Sequence, residues 1–173
     1  QHAADEDVPV AGWIPPQLVR ELALEPHGLK MQDHDPWATA ALPGGGRLEL
    51  WRDTARSAAA IRRLSEKDAA RWPAFCERMN ALARLFERIY TAAPPDFMGR
   101  DLHDVAQLAG FGLRVRGLGR RGIEDLLRLY PMSVADFLDD WFENDTLKGI
   151  LGAAGIMHVQ QGPRSGGTAF LLL

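Results

Sequence analysis

A long stretch of helical periodicity in the middle of this sequence constrains its fold more than any other feature. Apolar side chains recur there at every third or fourth position, a spacing that places them on one face of a helix. They are Trp72, Phe75, Met79, Leu82, Phe86 and Ile89. Ser65 is suited to cap this helix, Asp68 supports that start, and Pro94-Pro95 ends it. Because such a helix must bury its apolar face against other elements, the sequence predicts a helical array.

Shorter helices and one hairpin complete the predicted fold. The hairpin pairs residues 37–42 with 47–51 through the turn Pro43-Gly44-Gly45-Gly46. The other helices are predicted from Pro15-Pro16 through Leu22, from a Thr54 cap to about Leu64, over 102–113, over 123–130, after a Ser133 cap, and over about 146–159. We therefore predict a mainly α fold of the α+β type, a helical array with a small β-hairpin. Residues 1–15 are predicted to be a flexible acidic lead, and 16–173 a single domain segment.

Composition limits the classes of partner. The chain has 173 residues, 46% of them apolar, and a formal net charge of -3, so no basic surplus favours nucleic acid as a partner. The single cysteine, Cys76, cannot form an internal disulfide, which indicates a reducing compartment. No apolar run approaches the roughly 20 residues of a membrane-spanning helix. We expect a soluble cytoplasmic protein without a membrane span.

Both ends of the chain look cut. Gln1 is not an initiator methionine, and the apolar element 169–173 stops without a cap or a polar exit. If the chain is a severed domain, we expect this element and the hairpin to lack their packing and hydrogen-bonding partners or to pair with another copy. A homo-oligomer is therefore one alternative.

A glycine-rich segment offers the most specific motif. Residues 117–122 spell GLGRRG, the GxGxxG pattern of dinucleotide-binding turns. That motif requires a buried parallel strand before it, and such a strand is apolar on both faces. The segment before residue 117 contains Arg114 and Arg116 and therefore does not fit. We expect a helical connection here. The alternative, nucleotide binding, predicts a strand ending at Arg116 and amide groups directed at a phosphate.

Other chemically suggestive residues have simpler interpretations. In the extended segment Asp33-His34-Asp35 the histidine would face away from both carboxylates, so no metal site is predicted. The carboxylates Asp136, Asp139, Asp140 and Glu143 lie opposite an apolar helix face, which is typical of a solvated stripe. The arginines Arg114, Arg116, Arg120, Arg121 and Arg128 are expected to form weak ion pairs. Cys76 is predicted to be a packed thiol. No catalytic residue is predicted.

One cluster predicts a pocket wall. Polar side chains and a methionine follow a helix that contains Gly149, Gly152 and Gly155. These glycines allow a neighbouring backbone or a ligand to approach closely. The candidate pocket residues are Met157, His158, Gln161, Arg164 and Ser165. Glycine-rich turns beside apolar helices also occur without any ligand.

Several separated segments carry a family resemblance. Residues 131–143 (PMSVADFLDDWFE), Leu147-Lys148 and 162–169 (GPRSGGTA) resemble the middle of phytoene-dehydrogenase-related oxidoreductases. More specifically, they resemble the branch of pyridine nucleotide-disulfide oxidoreductase domain-containing proteins. Residues 65–69 and 42–53 fit the same region, so the resemblance covers most of the chain from about Pro16.

The resemblance implies the substrate-side, or cap, part of a two-domain FAD-dependent oxidoreductase, which walls a hydrophobic substrate channel for hydride transfer to flavin. The implied partners are the FAD-binding domain of the parent chain and a small hydrophobic substrate, with His158 or Arg164 orienting the latter. The family's amino-terminal glycine fingerprint is missing from this sequence, so no FAD is expected to bind tightly to this segment alone. The alternative is a non-catalytic helical interaction module whose apolar faces around Trp72 and Trp141 bury against a protein partner.

Overall fold

The described part of the chain divides into two compact units. In the computed structural model, the described residues are 14–31, 34–90, 108–110, 112–113, 116–117, 119–157 and 159–172. Residues 1–33 belong to one unit and 34–173 to the other. The first unit contains helix α1 (Pro16–Glu21), preceded by Pro15 as predicted. Most of the predicted acidic lead, Pro94-Pro95 and most of the predicted helix over 102–113 lie outside the described residues.

The second unit begins with the predicted hairpin, which is confirmed. Strand β1 (Ala38–Ala41) pairs antiparallel with β2 (Arg47–Leu50), and Ala38 stands opposite Leu50. Leu48 and Leu50 are buried on one side of β2. Gly44, Gly45 and Gly46 in the turn have φ values of 91°, 97° and 87°, a region that side chains disfavour. The glycine run therefore allows the tight reversal.

Helix α2 (Thr54–Ile61) follows directly, and its cap differs from the prediction. The side chain of Asp53, rather than Thr54, accepts hydrogen bonds from Ala55 N at 2.8 Å and Arg56 N at 3.0 Å. A carboxylate at this position both caps the first turn and complements the helix dipole, so Thr54 becomes the first helical residue. The helix also ends at Ile61, earlier than the predicted Leu64.

Helix α3 (Glu66–Tyr90) is the long amphipathic helix that the periodicity predicts. Ser65 caps it, its Oγ accepting a hydrogen bond from Asp68 N at 3.1 Å. Trp72 and Phe75 are buried, and the ring of Phe75 lies 4.9 Å from that of Phe142, centroid to centroid. The apolar face of α3 therefore packs against the helices that follow in the chain.

Further helices follow α3 in the chain. They are α4 (Gly119–Leu129), α5 (Val134–Trp141) and α6 (Asp145–Ala154), followed by a 3₁₀ helix (Thr168–Leu172). Ser133 caps α5 as predicted. Helix α6 ends at Ala154 rather than near Val159, and the residue that follows, Gly155, is a weak helix former packed closely against Val134.

The hairpin, α2, α3, α5 and α6 share one main core, while Leu129 of α4 joins Leu82 and Ala169 in a second, smaller cluster. The largest members of the main core are Leu48, Leu50, Ile61, Trp72, Phe75, Val134, Leu138, Phe142, Leu147 and Leu151. The prediction of a mainly helical chain with one small hairpin is confirmed. Within the part of the chain that the structure describes, no helix is long and apolar enough to cross a membrane.

Candidate functional site

A loop at 162–168 is fixed against the start of α5. Ala135 N donates to the carbonyl of Pro163 at 2.9 Å. Val134 N donates to Thr168 Oγ1 at 2.9 Å, and that hydroxyl donates in turn to the carbonyl of Ser165 at 2.7 Å. Val134 and Thr168 are fully buried, so these bonds are shielded from water. The loop is therefore held at a defined distance from α5 and α6.

Close approach at the end of α6 explains one of its glycines. A Cβ atom on Gly155 would lie 2.8 Å from Val134 Cγ2 and 3.1 Å from the carbonyl oxygen of Thr168. Both distances are too short for an unshifted side chain, so only glycine lets α6, α5 and the loop meet here.

A groove of about 280 Å³ lies beside this junction, between α5, α6 and the loop. We name it the Arg164 groove. It is lined by Ala135, Asp139, Asp145, Lys148, Gly149, Gly152, Ala153, Ile156, Pro163 and Arg164. Small residues form much of this lining, whereas charged side chains provide the polar part. The groove therefore offers a narrow slot with polar groups beside it.

The two cationic side chains of this lining differ in whether they are paired with a carboxylate. Lys148 Nζ lies 2.7 Å from Asp139 Oδ1 and 2.9 Å from Asp145 Oδ1. The hydrogen bond from Lys148 to Asp139, and secondarily the one to Asp145, raise the pKa of Lys148. The same bond from Lys148 lowers the pKa of Asp145. The Arg164 side chain is exposed and forms no hydrogen bond or ion pair with any described residue. Arg164 is therefore the cation of this groove that a ligand can approach.

The predicted pocket residues are distributed unevenly. Arg164 lines the groove, and Ser165 is half-buried beside it in the chain. Met157 is 49% exposed and Gln161 is also exposed, and neither lines the groove. His158 lies outside the described residues. The pocket-wall role of this set stays a prediction.

A second groove was not predicted from the sequence. It has a volume of about 470 Å³ and lies between α3, α4 and α5. We name it the three-helix groove. It is lined by Arg71, Arg78, Leu82, Arg128, Leu129, Phe137, Asp140 and Trp141. These residues come from three separate helices, and no local motif joins them.

The four carboxylates of the acidic stripe are exposed, as predicted, and three of them form ion pairs. Asp139 pairs with Lys148, Asp140 with Arg128 at 2.8 Å, and Glu143 with Lys67 at 2.6 Å. Pairs with this exposure contribute little to stability. The expected ion pairing of the arginines is confirmed for Arg128 and for Arg120, which pairs with Glu124. Arg114 and the side chain of Arg121 lie outside the described residues.

Cys76 is a packed thiol, as predicted. It is half-buried against the main core, and burial raises its pKa, which disfavours the reactive thiolate. Trp72 is only 2% exposed, so it packs within the chain and offers no surface to a protein partner. In the described ranges, no three His, Cys, Asp or Glu side chains are grouped so as to hold a metal ion.

The glycine motif at 117–122 does not form a nucleotide loop in its described residues. Arg116 is helical rather than the end of a strand, and α4 begins at Gly119, inside the motif. The sheet found in the described part of the chain has two antiparallel strands, and both precede α2. A dinucleotide pyrophosphate needs a parallel strand, a turn and a helix N-terminus in succession. The described residues therefore do not fit a flavin or nicotinamide dinucleotide, in agreement with the predicted helical connection.

Sequence comparison shows a distant similarity to a group of oxidoreductase-domain proteins. Over 171 residues, 91% of the chain, it is 25% identical to rat (Rattus norvegicus) pyridine nucleotide-disulfide oxidoreductase domain-containing protein 2. It is 26% identical over 172 residues to the mouse (Mus musculus) protein of the same name. The chain spans 29% of the length of each relative. No family model and no solved structure matches it.

Proposed function

We propose that this chain is the substrate-side segment of an FAD-dependent oxidoreductase of the phytoene-dehydrogenase-related kind. In that role it walls an apolar channel along which a small hydrophobic substrate reaches the flavin and gives up a hydride. Similarity to oxidoreductase-domain proteins over 91% of the chain supports the general class. The Arg164 groove supports the specific role.

The observation that carries the proposal is the composition of the Arg164 groove. Gly149, Gly152 and Ala153 leave room along α6 for a flat or extended apolar molecule. Ile156 and Pro163 add apolar surface. Because Asp139, Asp145 and Lys148 pair with one another, Arg164 suits a substrate that is mostly apolar and carries one polar group.

The five predicted pocket residues lie within one short segment of the chain, 157–165. The loop that contains Arg164 and Ser165 is tied to α5 by the buried Thr168 hydroxyl, and Arg164 lines the groove. We propose that Met157, His158 and Gln161 extend the wall beyond the groove. Their contribution is shape and orientation of the substrate.

We place the flavin elsewhere in the parent protein. The described residues do not supply the strand, turn and helix that bind its pyrophosphate, so a separate FAD-binding domain of the parent chain is the proposed partner. The chemistry of oxidation belongs to the flavin. This segment contributes apolar surface and exclusion of water.

A groove-filling variant tests the proposed channel. Ala153→Leu places a larger side chain in the Arg164 groove, where Ala153 is exposed. Nile red, an apolar dye whose fluorescence rises out of water, serves as the probe. We expect the variant to reduce the bound-dye signal several-fold relative to the unchanged chain.

Ala59→Leu is the matched control, because Ala59 is an exposed helical alanine on α2 and does not line the groove. It should leave the dye signal unchanged. Equal dye binding by the unchanged chain and the Ala153→Leu variant would contradict the proposed channel at this groove.

A further inference from the structure

The three-helix groove combines an apolar surface with a cluster of arginines. Leu82 and Leu129 are buried, and together with Phe137 they join a small core cluster under the groove. Trp141 adds a half-exposed aromatic ring. At about 470 Å³ the groove lies within the roughly 300–1,000 Å³ typical of small-molecule sites.

The arginines come from two helices. Arg71 and Arg78 are two helical turns apart on α3, so both point to the same side of that helix. Arg128 comes from α4. Against these three cations, the described lining contains one carboxylate, Asp140. Among the described lining residues, cationic side chains therefore outnumber carboxylates.

Arg78 also has an interaction partner within the chain, and the bonds that Arg71 and Arg128 already make leave each of them further donors for a ligand. Arg128 Nη2 bonds Asp140 Oδ2 at 2.8 Å, and Arg71 Nη1 donates to the carbonyl of Trp141 at 3.0 Å. A carbonyl is neutral, so this bond orients Arg71 without cancelling its charge. Each guanidinium keeps further N–H groups after one such bond, in a planar fork that matches an oxyanion.

We propose that the three-helix groove binds an amphiphile with an oxyanion head and an apolar tail. The carboxylate or phosphate head pairs with Arg71 and Arg78, and the tail lies over Phe137 and Trp141. This site uses no residue of the Arg164 groove, since it faces the side of α5 that carries Phe137 and Trp141 rather than Ala135 and Asp139. The inference therefore stands or falls separately from the proposed substrate channel.

Calorimetric titration of the chain with matched dodecyl compounds tests the proposal. The probes are dodecanoate and dodecyl phosphate below their micelle-forming concentrations, and uncharged dodecanol below its solubility limit. Inorganic phosphate and acetate serve as heads without tails. We expect both dodecyl anions to bind about tenfold or more tightly than dodecanol, and the bare heads to bind more weakly still. Equal affinity for dodecanoate and dodecanol would overturn the site. So would inorganic phosphate that binds as tightly as dodecyl phosphate.

Two variants assign the binding to this groove. In Arg71→Gln/Arg78→Gln, we expect affinity for dodecanoate to fall about tenfold, with affinity for dodecanol unchanged. Arg62→Gln is the matched control, because Arg62 is an exposed arginine outside the groove. It should bind dodecanoate like the unchanged chain. A double variant that is folded by circular dichroism and binds dodecanoate with full affinity would overturn the proposal.

Salt dependence provides a test that does not rely on a variant. Affinity of the unchanged chain for dodecanoate should fall several-fold between low salt and about 0.5 M salt, because ions screen the arginines. Affinity for dodecanol should not fall. Binding of dodecanoate that is independent of salt would also contradict the proposed arginine contact.

Discussion

The side chain of Asp68 holds the backbone of Glu143 from across the core. Asp68 is fully buried, and its Oδ1 accepts a hydrogen bond from Glu143 N at 2.9 Å. Its Oδ2 accepts a second bond from Asn144 N, also at 2.9 Å. One carboxylate on α3 therefore fixes the turn between α5 and α6, the two helices that form most of the Arg164 groove.

Removal of this carboxylate should destabilise the chain strongly. In Asp68→Ala, two backbone N–H groups lose their charged acceptor, and we expect the free energy of unfolding to fall by about 2–4 kcal/mol. Urea denaturation followed by circular dichroism measures this loss. Glu66→Ala, at an exposed position on the same helix, should change stability by less than about 0.5 kcal/mol. Similar losses for the two variants would refute the role given to Asp68.

The close contact at Gly155 predicts a strong penalty for even one methyl group. Gly155→Ala places Cβ 2.8 Å from Val134 Cγ2, so the backbone must shift, at a cost of about 1–3 kcal/mol. Gly149→Ala is the control, because its Cβ meets nothing within 4 Å and alanine favours the helix. Thermal unfolding should show a lower midpoint for the first variant and an unchanged or higher midpoint for the second. The reverse order would be evidence against the packing described at this junction.

The stability of the fold should depend on the hydroxyl of Thr168 more than on the volume of its side chain. Thr168→Val keeps the volume but leaves Val134 N without its acceptor, and we expect a loss of about 1–3 kcal/mol. Thr39→Val, at an exposed strand position, should be nearly neutral or slightly stabilising. If Thr168→Val unfolds at the same denaturant concentration as the unchanged chain, the hydroxyl does not anchor the loop.

Glu143 should contribute a pH-dependent part of the stability. Its hydrogen bonds from Lys67 and then Ser65 lower its pKa below the usual 4.5. A carboxyl whose folded pKa is lowered stabilises the fold above its unfolded pKa, and this contribution disappears as the pH falls through the folded value. We therefore expect Glu143→Gln to be less stable than the unchanged chain near neutral pH, and the difference to close under acid conditions. Denaturation curves at about pH 7 and about pH 3 measure both differences. A gap that stays constant with pH would contradict the lowered pKa.

The sequence predicts elements that depend on local patterns. The apolar face of α3, the Ser133 cap and the glycine turn of the hairpin follow from spacing or backbone freedom within a few residues. The cap of α2 was assigned one residue too late, because Asp53 and Thr54 are both good cap residues and only the structure separates them. Where α6 ends depends on its packing against Val134, which a local pattern does not contain.

The grooves were harder to predict, because they join residues that are distant in sequence. Arg71, Arg128 and Trp141 meet only when three helices pack together. Arg164 was predicted as a pocket residue because it follows a glycine-rich helix, and it does line a groove. Lys148 was missed there, although its spacing from Asp145 is that of a helical ion pair.

Flavin retention tests the central claim most directly. The chain and the proposed longer parent protein are each mixed with FAD, passed over a desalting column, and examined by visible absorption. We expect the longer protein to retain flavin absorbance and the chain alone to emerge colourless. A longer protein that retains no flavin would contradict the assignment to an FAD-dependent oxidoreductase, and a chain that retains stoichiometric FAD by itself would contradict its assignment as the substrate-side segment.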